Sequence, residues 1–527
     1  MIMKRLLFLV ASLVTITSQA QISLSANAEK KMTPELLWSL GRVSALGISK
    51  DKQYIVYSIG IPNIEENKVK RKYYIVPVNG GDAKEITNTD DYLVNDKISP
   101  DGKYIISSND VLIKKVKSAD LYPNLTKSNA YVFNSLNYRH WDTWEDGKYG
   151  HVFLSPMVNG KASDGKDLMI DEPFDCPQKP FGGDEDFIWN PDSKHVLYVT
   201  KKKFGTEYAL STNTDLYEYD ITSGTTKNLT EDNKGYDVAP AYNAKGELAW
   251  LQMKRDGYEA DKQDIIVSNG KTTINLTKQR DDIHVESFKW SDDNRTIFFI
   301  APIDGTLQLF KVNYPGLTKM AVTISQITKG DFDVSSVIGQ AGNNLIVSRN
   351  DMNHAPELYS VDLSNGSMKQ ITHANDAAYS AIAMCKTERR FVTTSDNKKM
   401  LVWMVYPPNF DPTKKYPTLL YCQGGPQSPL TQSYSFRWNF QLMASQGYII
   451  VAPNRRGMPG HGTLWNEQVS KDWGGLVIKD YLNAIDDASK LPYVDNTRRG
   501  CIGASFGGFS VFELAGVHEG RFKTFIS

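Results

Sequence analysis

One short signature recurs along the chain and restricts its fold more than any other feature. A polar residue, an apolar residue and Thr stand together at Glu85-Ile86-Thr87, Asn228-Leu229-Thr230, Asn275-Leu276-Thr277, Gln326-Ile327-Thr328 and Gln370-Ile371-Thr372. The last four copies are 47, 51 and 44 residues apart. The other half of the unit is a turn that opens a β-rich run. Ser99-Pro100-Asp101-Gly102-Lys103 leads into Tyr104-Ile105-Ile106, and Asn190-Pro191-Asp192-Ser193-Lys194 leads into Val196-Leu197-Tyr198-Val199. Looser copies start at Ser49, Asn243 and Ser291. Pro presets φ and Asp bonds to the backbone nearby, so each turn has a mechanism. A period in the forties with short strands means propeller blades of about four strands each. A pair of β-sandwiches or a solenoid is the alternative, and regular spacing with strand-turn content throughout disfavours both. Six blades can be placed within residues 48–383. The span from Ile98 to Thr230 is long for two, with the surplus around Lys114 to Asp167, so about seven are expected.

After about Met384 the grammar changes. Lys399 to Tyr406, Tyr416 to Cys422, Gly447 to Pro453 and Arg499 to Ala504 read as near-continuous apolar strands. Helical segments fall near Trp438 to Gln446, Asp480 to Lys490 and Gly508 to Val517. Apolar strands alternating with helices predict a parallel sheet covered on both faces. Residues 384–527 are therefore expected to form an α/β-hydrolase domain, following the β-propeller of residues 48–383 and an N-terminal helical segment at 21–47.

The first twenty residues read as a leader. Lys4 and Arg5 precede an apolar run, Leu6 to Ile16, that is too short to span a bilayer. Ser18-Gln19-Ala20 supplies the small residues of a cleavage site before Gln21. A short membrane anchor is the competing reading. The expected destination is the periplasm or the medium, with no membrane association after removal of the leader. Lys+Arg and Asp+Glu both number 60, so composition supports neither nucleic acid nor an anionic surface as partner. The four cysteines, Cys176, Cys385, Cys422 and Cys501, form no C-x-x-C pair and no disulfide framework. Cys422 and Cys501 lie in apolar runs and read as buried thiols. No metal or other cofactor is expected.

Gly503-Ala504-Ser505-Phe506-Gly507 has the form G-x-S-x-G, the nucleophile elbow. The turn from strand to helix brings backbones too close for a Cβ at the flanking positions, and it lifts the Ser505 hydroxyl above the sheet. The Phe506 N–H, at the helix start, can donate to an oxyanion. The five letters carry little alone, but a strand precedes them and a helix follows. Upstream, a strand ends in Gln423-Gly424-Gly425-Pro426, where this fold places its second oxyanion donor. Ser505 then needs a base, which in this fold follows the nucleophile after an Asp or Glu. Only 22 residues follow Ser505, with one histidine, His518, on the helix leaving the elbow. The other seven precede Ser505. The hydrolase domain is thus expected to be incomplete and the 527 residues inactive as they stand.

A propeller followed by such a hydrolase resembles the prolyl oligopeptidase family of serine peptidases over nearly the whole chain after the leader. The resemblance rests on Gln423-Gly424-Gly425-Pro426-Gln427, Pro453-Asn454-Arg455-Arg456-Gly457, Asp472-Trp473-Gly474-Gly475, Asp480-Tyr481 and Gly503-Ala504-Ser505-Phe506-Gly507-Gly508. Within the family it is most similar to the acylaminoacyl-peptidase branch, and there to the exported bacterial dipeptidyl-peptidase V group, through Arg139-His140-Trp141-Asp142-Thr143-Trp144-Glu145-Asp146-Gly147. The resemblance implies a Ser505 acyl-enzyme, oligopeptide substrates and a propeller that filters them by size. It implies Phe506 N–H as one oxyanion donor. Where the family often has Tyr or His before the glycines this chain has Gln423, which leaves open whether that side chain or a backbone N–H, such as that of Gly424, is the other. Release of dipeptides requires carboxylates that hold a free N-terminal ammonium. Asp142, Glu145 and Asp146 are the candidates, and a solvated acidic loop is the competing reading. An acylaminoacyl-peptidase or oligopeptidase, an esterase on the same fold, and a propeller binding protein with a silent hydrolase remain alternatives. The sequence leaves a homodimer open.

Overall fold

The computed structural model describes residues 30–317 and 322–527. The leader expected at 1–20 lies outside them. Among the described residues no helix is long and apolar enough to cross a membrane. A short helix, Pro34–Ser39, capped by the Thr33 side chain, precedes the first strand. That strand, Arg42–Ile48, is already the inner strand of a blade, so the helical segment expected at 21–47 gives way to sheet at Arg42.

The hydroxyl-bearing repeat positions are there for a reason of hydrogen bonding. Thr277 Oγ accepts from the Ile265 N–H (3.1 Å) and donates to Asp264 (2.7 Å). Thr328 does the same with Leu309 N–H (2.9 Å) and Gln308 (2.8 Å), and Thr372 with Leu358 N–H (2.8 Å) and Glu357 (2.5 Å). In each case the Thr just after the outer strand clamps the third strand. The turn serines act likewise: Ser99 donates to Asp101 (2.7 Å) and accepts from the Tyr104 N–H (3.0 Å), and Ser291 repeats this with Asp293 (2.7 Å) and Thr296 (3.0 Å). Without these partners, buried N–H groups at blade edges would be orphaned.

The propeller has six blades, not the seven expected. Five are four-stranded antiparallel meanders, beginning at Arg42, Phe187, Asp237, Ser287 and Asp333. The remaining one pairs Tyr104–Leu112 with Lys148–Val158, with the short strands Lys161–Ala162 and Lys166–Asp167 at its rim. The surplus length is an insertion, 113–147, between those two long strands. It carries a short helix, Ser118–Leu121, and a two-stranded hairpin, Arg139–His140 with Thr143–Trp144. Its rings stack on one another, Tyr131, Phe133, Tyr138 and Trp144, at centroid distances of 5.3–6.2 Å. This local aromatic stack holds the insertion together without a blade.

The ring closes without exchanging strands. Ile55, Tyr57 and Val76 of the first blade pack with Ile346, Leu358 and Ile371 of the sixth in one apolar cluster. Beside it the buried Asn375 side chain accepts from Gly41 N–H (2.8 Å) and donates to Gly41 O (2.8 Å).

The hydrolase sheet has six strands: β1 (Lys386–Thr393), β2 (Lys399–Tyr406), β3 (Tyr416–Cys422), β4 (Ile449–Pro453), β5 (Val494–Gly503) and β6 (Thr524–Ile526). Their spatial order is β1-β2-β4-β3-β5-β6, antiparallel through β2–β4 and parallel thereafter. Alternation along β2 sends Val402 and Met404 to one face and Leu401, Trp403 and Val405 to the other. Helices Leu476–Ala488 and Phe506–Val517 cover the first face, and Phe440–Ser445 packs on the second. All four cysteines are buried and free.

The hydrolase rests on the loops joining second to third strands of the blades. Gly305 O accepts from the Trp403 indole (3.1 Å), Tyr258 OH accepts from Gln427 (2.9 Å), Arg255 pairs with Glu467 (2.6 Å), and Gln432 Oε1 accepts from the Met352 N–H (3.3 Å). Asp333, pushed up to about 6 by burial, accepts from Leu307 N–H (2.8 Å), Gln432 N–H (3.2 Å) and the Thr431 hydroxyl (2.6 Å), joining two blades to the hydrolase. In the second blade Ile98, bridged to Ile105, stands where the other blades have their inner strand, so the insertion 113–147 is also a second-to-third-strand connection and topology places it on this face of the propeller.

Asn375→Ala strips two buried backbone groups of their partners. The expected cost is about 2–4 kcal/mol, read as a lower urea midpoint that Asn375→Asp only partly reproduces, because Asp keeps the acceptor for Gly41 N–H.

Candidate active site

Strand β5 runs into Ala504 and Ser505, and the helix Phe506–Val517 begins at the next residue. Ser505 has φ 58° and ψ −127°, a strained conformation for a residue with a side chain. Its neighbours show what enforces it. A Cβ on Gly507 would lie 2.0 Å from Cys422 O, and one on Gly503 would lie 2.7 Å from the same oxygen and 2.6 Å from Gly507 O. The elbow therefore presses its backbone against the end of β3, which only glycine allows. Ser505 is exposed while Phe506, Gly507 and Gly508 are buried, so the hydroxyl stands clear above the sheet edge.

The turn Gln423–Pro426 lies against this residue. A Cβ on Gly424 would sit 3.7 Å from Ser505 Cβ and 3.3 Å from Ala504 O. The Gln423 carbonyl accepts from Arg455 Nη2 (3.0 Å). Carbonyl and N–H of a trans peptide point oppositely, so the Gly424 N–H points away from Arg455. The Gln423 side chain makes no hydrogen bond among the described residues. Phe506 N–H is the first donor of its helix, one of the four without an intrahelical acceptor. The Phe506 ring is fixed edge-on against Trp473 at 5.3 Å. Phe506 N–H thus follows Ser505 directly, and the turn carrying Gln423 and Gly424, between which the sequence left the second donor open, packs against it.

None of the eight histidines hydrogen-bonds the Ser505 hydroxyl. His518 caps the far end of the elbow helix, roughly 18 Å along it, and accepts from the Phe522 N–H (3.3 Å). His151 is buried between Asp167 (2.9 Å) and Glu172 O (2.8 Å). His195, His354 and His373 pair with Asp192, Asp351 and Asp376. His284 accepts from the Gln263 N–H, His140 packs on Trp141, and burial pushes His461 down to about 4. Among the described residues no group of three His, Cys, Asp or Glu could hold a metal ion.

The three acidic candidates of the insertion separate. Asp142 lies on the exposed hairpin tip, and Asp146 caps the Lys148 N–H (3.0 Å). Glu145 enters a cavity of ≈ 340 Å³ whose lining includes Lys114, Tyr149, Asp175, Phe204 and Tyr208. Burial, with the Asp175 charge beside it, raises its carboxyl above the usual value. Asp175 is already engaged by Lys179 (2.9 Å) and Gly150 N–H (2.8 Å). Glu145 has no ion-pair partner among the described residues. A second, open cleft of ≈ 700 Å³ shares Tyr138 and Tyr208 with the first and carries the exposed rings of Trp141 and Phe181.

Sequence reasoning passed over Asp175 and gave Arg455 no role. Neither is marked by local pattern. Asp175 lies about thirty residues from Glu145 in the chain, and Arg455 looks like the twin of Arg456. Arg456 is buried between Asp480 and Asp396, whereas Arg455 has no carboxylate partner at all among the described residues.

Comparison with known proteins agrees with this geometry. Residues 434–527 match the prolyl oligopeptidase family, and residues 211–400 match the dipeptidyl peptidase IV N-terminal region. Dipeptidyl-peptidase 5 of Porphyromonas gingivalis is 37% identical over 554 residues, covering 96% of this chain and 79% of that protein. Dipeptidyl-peptidase 5 of Porphyromonas endodontalis is 35% identical, covering 94% and 77%. The acylaminoacyl peptidase of Pyrococcus horikoshii shares the fold at a TM-score of 0.72 and 16% identity, covering 92% of this chain and 77% of that one. Elbow, propeller and relatives together show that the chain belongs to the prolyl oligopeptidase family of serine peptidases.

Proposed function

We propose that the chain carries the nucleophile and the substrate-selecting propeller of an exported peptidase that removes dipeptides from the N-termini of short peptides. The observation that carries the reading is Ser505, strained and exposed, with the Gly424 turn packed against it and Phe506 N–H beside it. Ser505 Oγ attacks the scissile carbonyl, and the two N–H groups receive the charge that develops on its oxygen. The C–N bond breaks, the peptide amine leaves with a proton, and water then releases the dipeptide from the acyl-enzyme. Both proton transfers need a base. With none of the eight histidines at Ser505, residues 1–527 by themselves are expected to turn over no peptide. Turnover by a purified 527-residue chain, lost in Ser505→Ala, would overturn that expectation.

Dipeptide release, the activity in the names of the two Porphyromonas relatives, needs an anchor for the free amine. Glu145 suits this role: a half-buried carboxylate with no ion-pair partner among the described residues, in a cavity on the propeller face that meets the hydrolase. In the catalytically active enzyme, Glu145→Gln should lower kcat/KM for free-amine substrates about 10–100-fold, the worth of one charged hydrogen bond. N-acylated substrates should be unaffected, and equal losses on both would exclude the anchor. The pH dependence has a definite sign. Glu145 is ionised only above its raised pKa, so KM for free-amine substrates should rise as pH falls through that value. The inflection should vanish in Glu145→Gln.

The leader supports export. N-terminal sequencing of protein recovered from the periplasm or medium should begin at Gln21, and retention of Lys4 and Arg5 would argue for the membrane-anchor reading.

Gly424→Ala probes the oxyanion turn. Its Cβ meets Ala504 O at 3.3 Å, so the catalytically active enzyme should still fold while fluorophosphonate labelling of its Ser505 slows at least tenfold, from loss of donor geometry. An unchanged rate would remove the turn from the site.

A further inference from the structure

Arg455 is fully buried and unpaired by any carboxylate among the described residues, which is costly for a charged group. Its hydrogen bonds say what it holds. Nη2 donates to Gln423 O (3.0 Å) and Nη1 to Pro426 O (2.7 Å), the two ends of the turn against Ser505. Nη1 also donates to Arg456 O (2.8 Å), and Nε donates to the Tyr481 hydroxyl (3.0 Å). The guanidinium carbon lies 4.8 Å from the centroid of the Phe506 ring. One side chain therefore touches both halves of the oxyanion site from behind: the turn that carries Gly424 N–H and the residue that carries Phe506 N–H.

We propose that Arg455 is the positioning residue of the oxyanion site, fixing the Gln423–Pro426 turn by its planar fork and strengthening the Gly424 N–H as a donor. The inference rests on the serine-peptidase reading above. Two physical effects support it. A fork bonded to two carbonyls fixes the peptide planes at both ends of the turn, which a lysine, with a single rotating ammonium, cannot match. A cation hydrogen-bonded to the Gln423 carbonyl also polarises that peptide group, and hydrogen bonds in such a chain reinforce one another. The peptide's opposite end is the Gly424 N–H. An acidic partner for Arg455 would cancel this polarisation. Arg456, next in the chain and equally buried, has Asp480 and Asp396 and carries no such consequence.

The test is steady-state kinetics with a dipeptidyl anilide on the catalytically active enzyme, alongside Ser505→Ala. Arg455→Met is expected to lower kcat about 10²–10³-fold, the usual effect of losing an oxyanion donor, with KM nearly unchanged. Arg455→Lys, which keeps the charge but not the fork, should fall between Met and the parent. In Arg455→Ala, added guanidinium ion should restore part of kcat and ammonium should not, a rescue that a general loss of stability would not show. If Arg455→Met fails to fold, Arg455→Lys and Tyr481→Phe decide, each expected to lower kcat without raising KM. Parental kcat in those variants overturns the proposal, as does a loss confined to KM. If Ser505→Ala keeps its turnover, the serine-peptidase reading itself fails, a result distinct from failure of the Arg455 assignment alone.

Discussion

The site depends on one close approach, the elbow backbone against the carbonyl of Cys422. At Gly503 and Gly507 a side chain of any size would meet backbone atoms at less than 3 Å. That contact forces the chain to reverse within two residues and holds Ser505 at a positive φ that it would otherwise avoid. It also brings the end of β3 beside the elbow, so the glycine turn that follows β3 has nowhere to go except over Ser505. Ser505 and the Gln423–Pro426 turn, the proposed nucleophile and oxyanion turn, are thus placed by the same packing event. The strain is local, and the buried apolar faces of β3, β5 and the elbow helix secure it.

Behind that contact the interior is charged. Two consecutive arginines leave β4 fully buried, and the protein treats them differently. Arg456 is neutralised by Asp480 and Asp396 and ties the strand to the helix Leu476–Ala488 and to the β1–β2 turn. Arg455 is met by carbonyls, a phenol and an aromatic face, so its charge is solvated but not cancelled. A buried charge without a counterion is costly unless hydrogen bonds satisfy it, which the carbonyls and phenol around Arg455 do. Its contacts with the Gln423–Pro426 turn and with Phe506 are what its proposed positioning role draws on.

The propeller meets the hydrolase through loops at one face. Its second-to-third-strand loops support the hydrolase in the fourth, fifth and sixth blades, and in the second the same connection has grown into the aromatic insertion. That insertion carries the exposed ring of Trp141 and Glu145, a carboxylate with no ion-pair partner among the described residues, and Phe181, from the connection to the third blade, packs edge-on against Trp141. The inter-domain joint is polar, built on Asp333, Arg255–Glu467 and Trp403–Gly305, as suits two units that meet through loops.

Much was legible from sequence because it rests on local rules. Blade turns and Thr clamps repeat since each satisfies its own buried N–H, and the spacing followed from that. The elbow and the glycine turn were legible because close backbone contact admits one residue type. The alternation of apolar strands and helices foretold a sheet covered on both faces. The blade count was not legible: surplus length reads alike whether it forms a blade or a loop, and only the stacking of Tyr131, Phe133, Tyr138 and Trp144 with one another decided for a loop. The start of the first blade at Arg42 was hidden because an inner strand needs its neighbours to be recognised. The separation of Glu145 from Asp142 and Asp146, and of Arg455 from Arg456, was beyond sequence altogether. Adjacent residues of one type differ only in what the fold brings to them, and those partners come from elements tens of residues away.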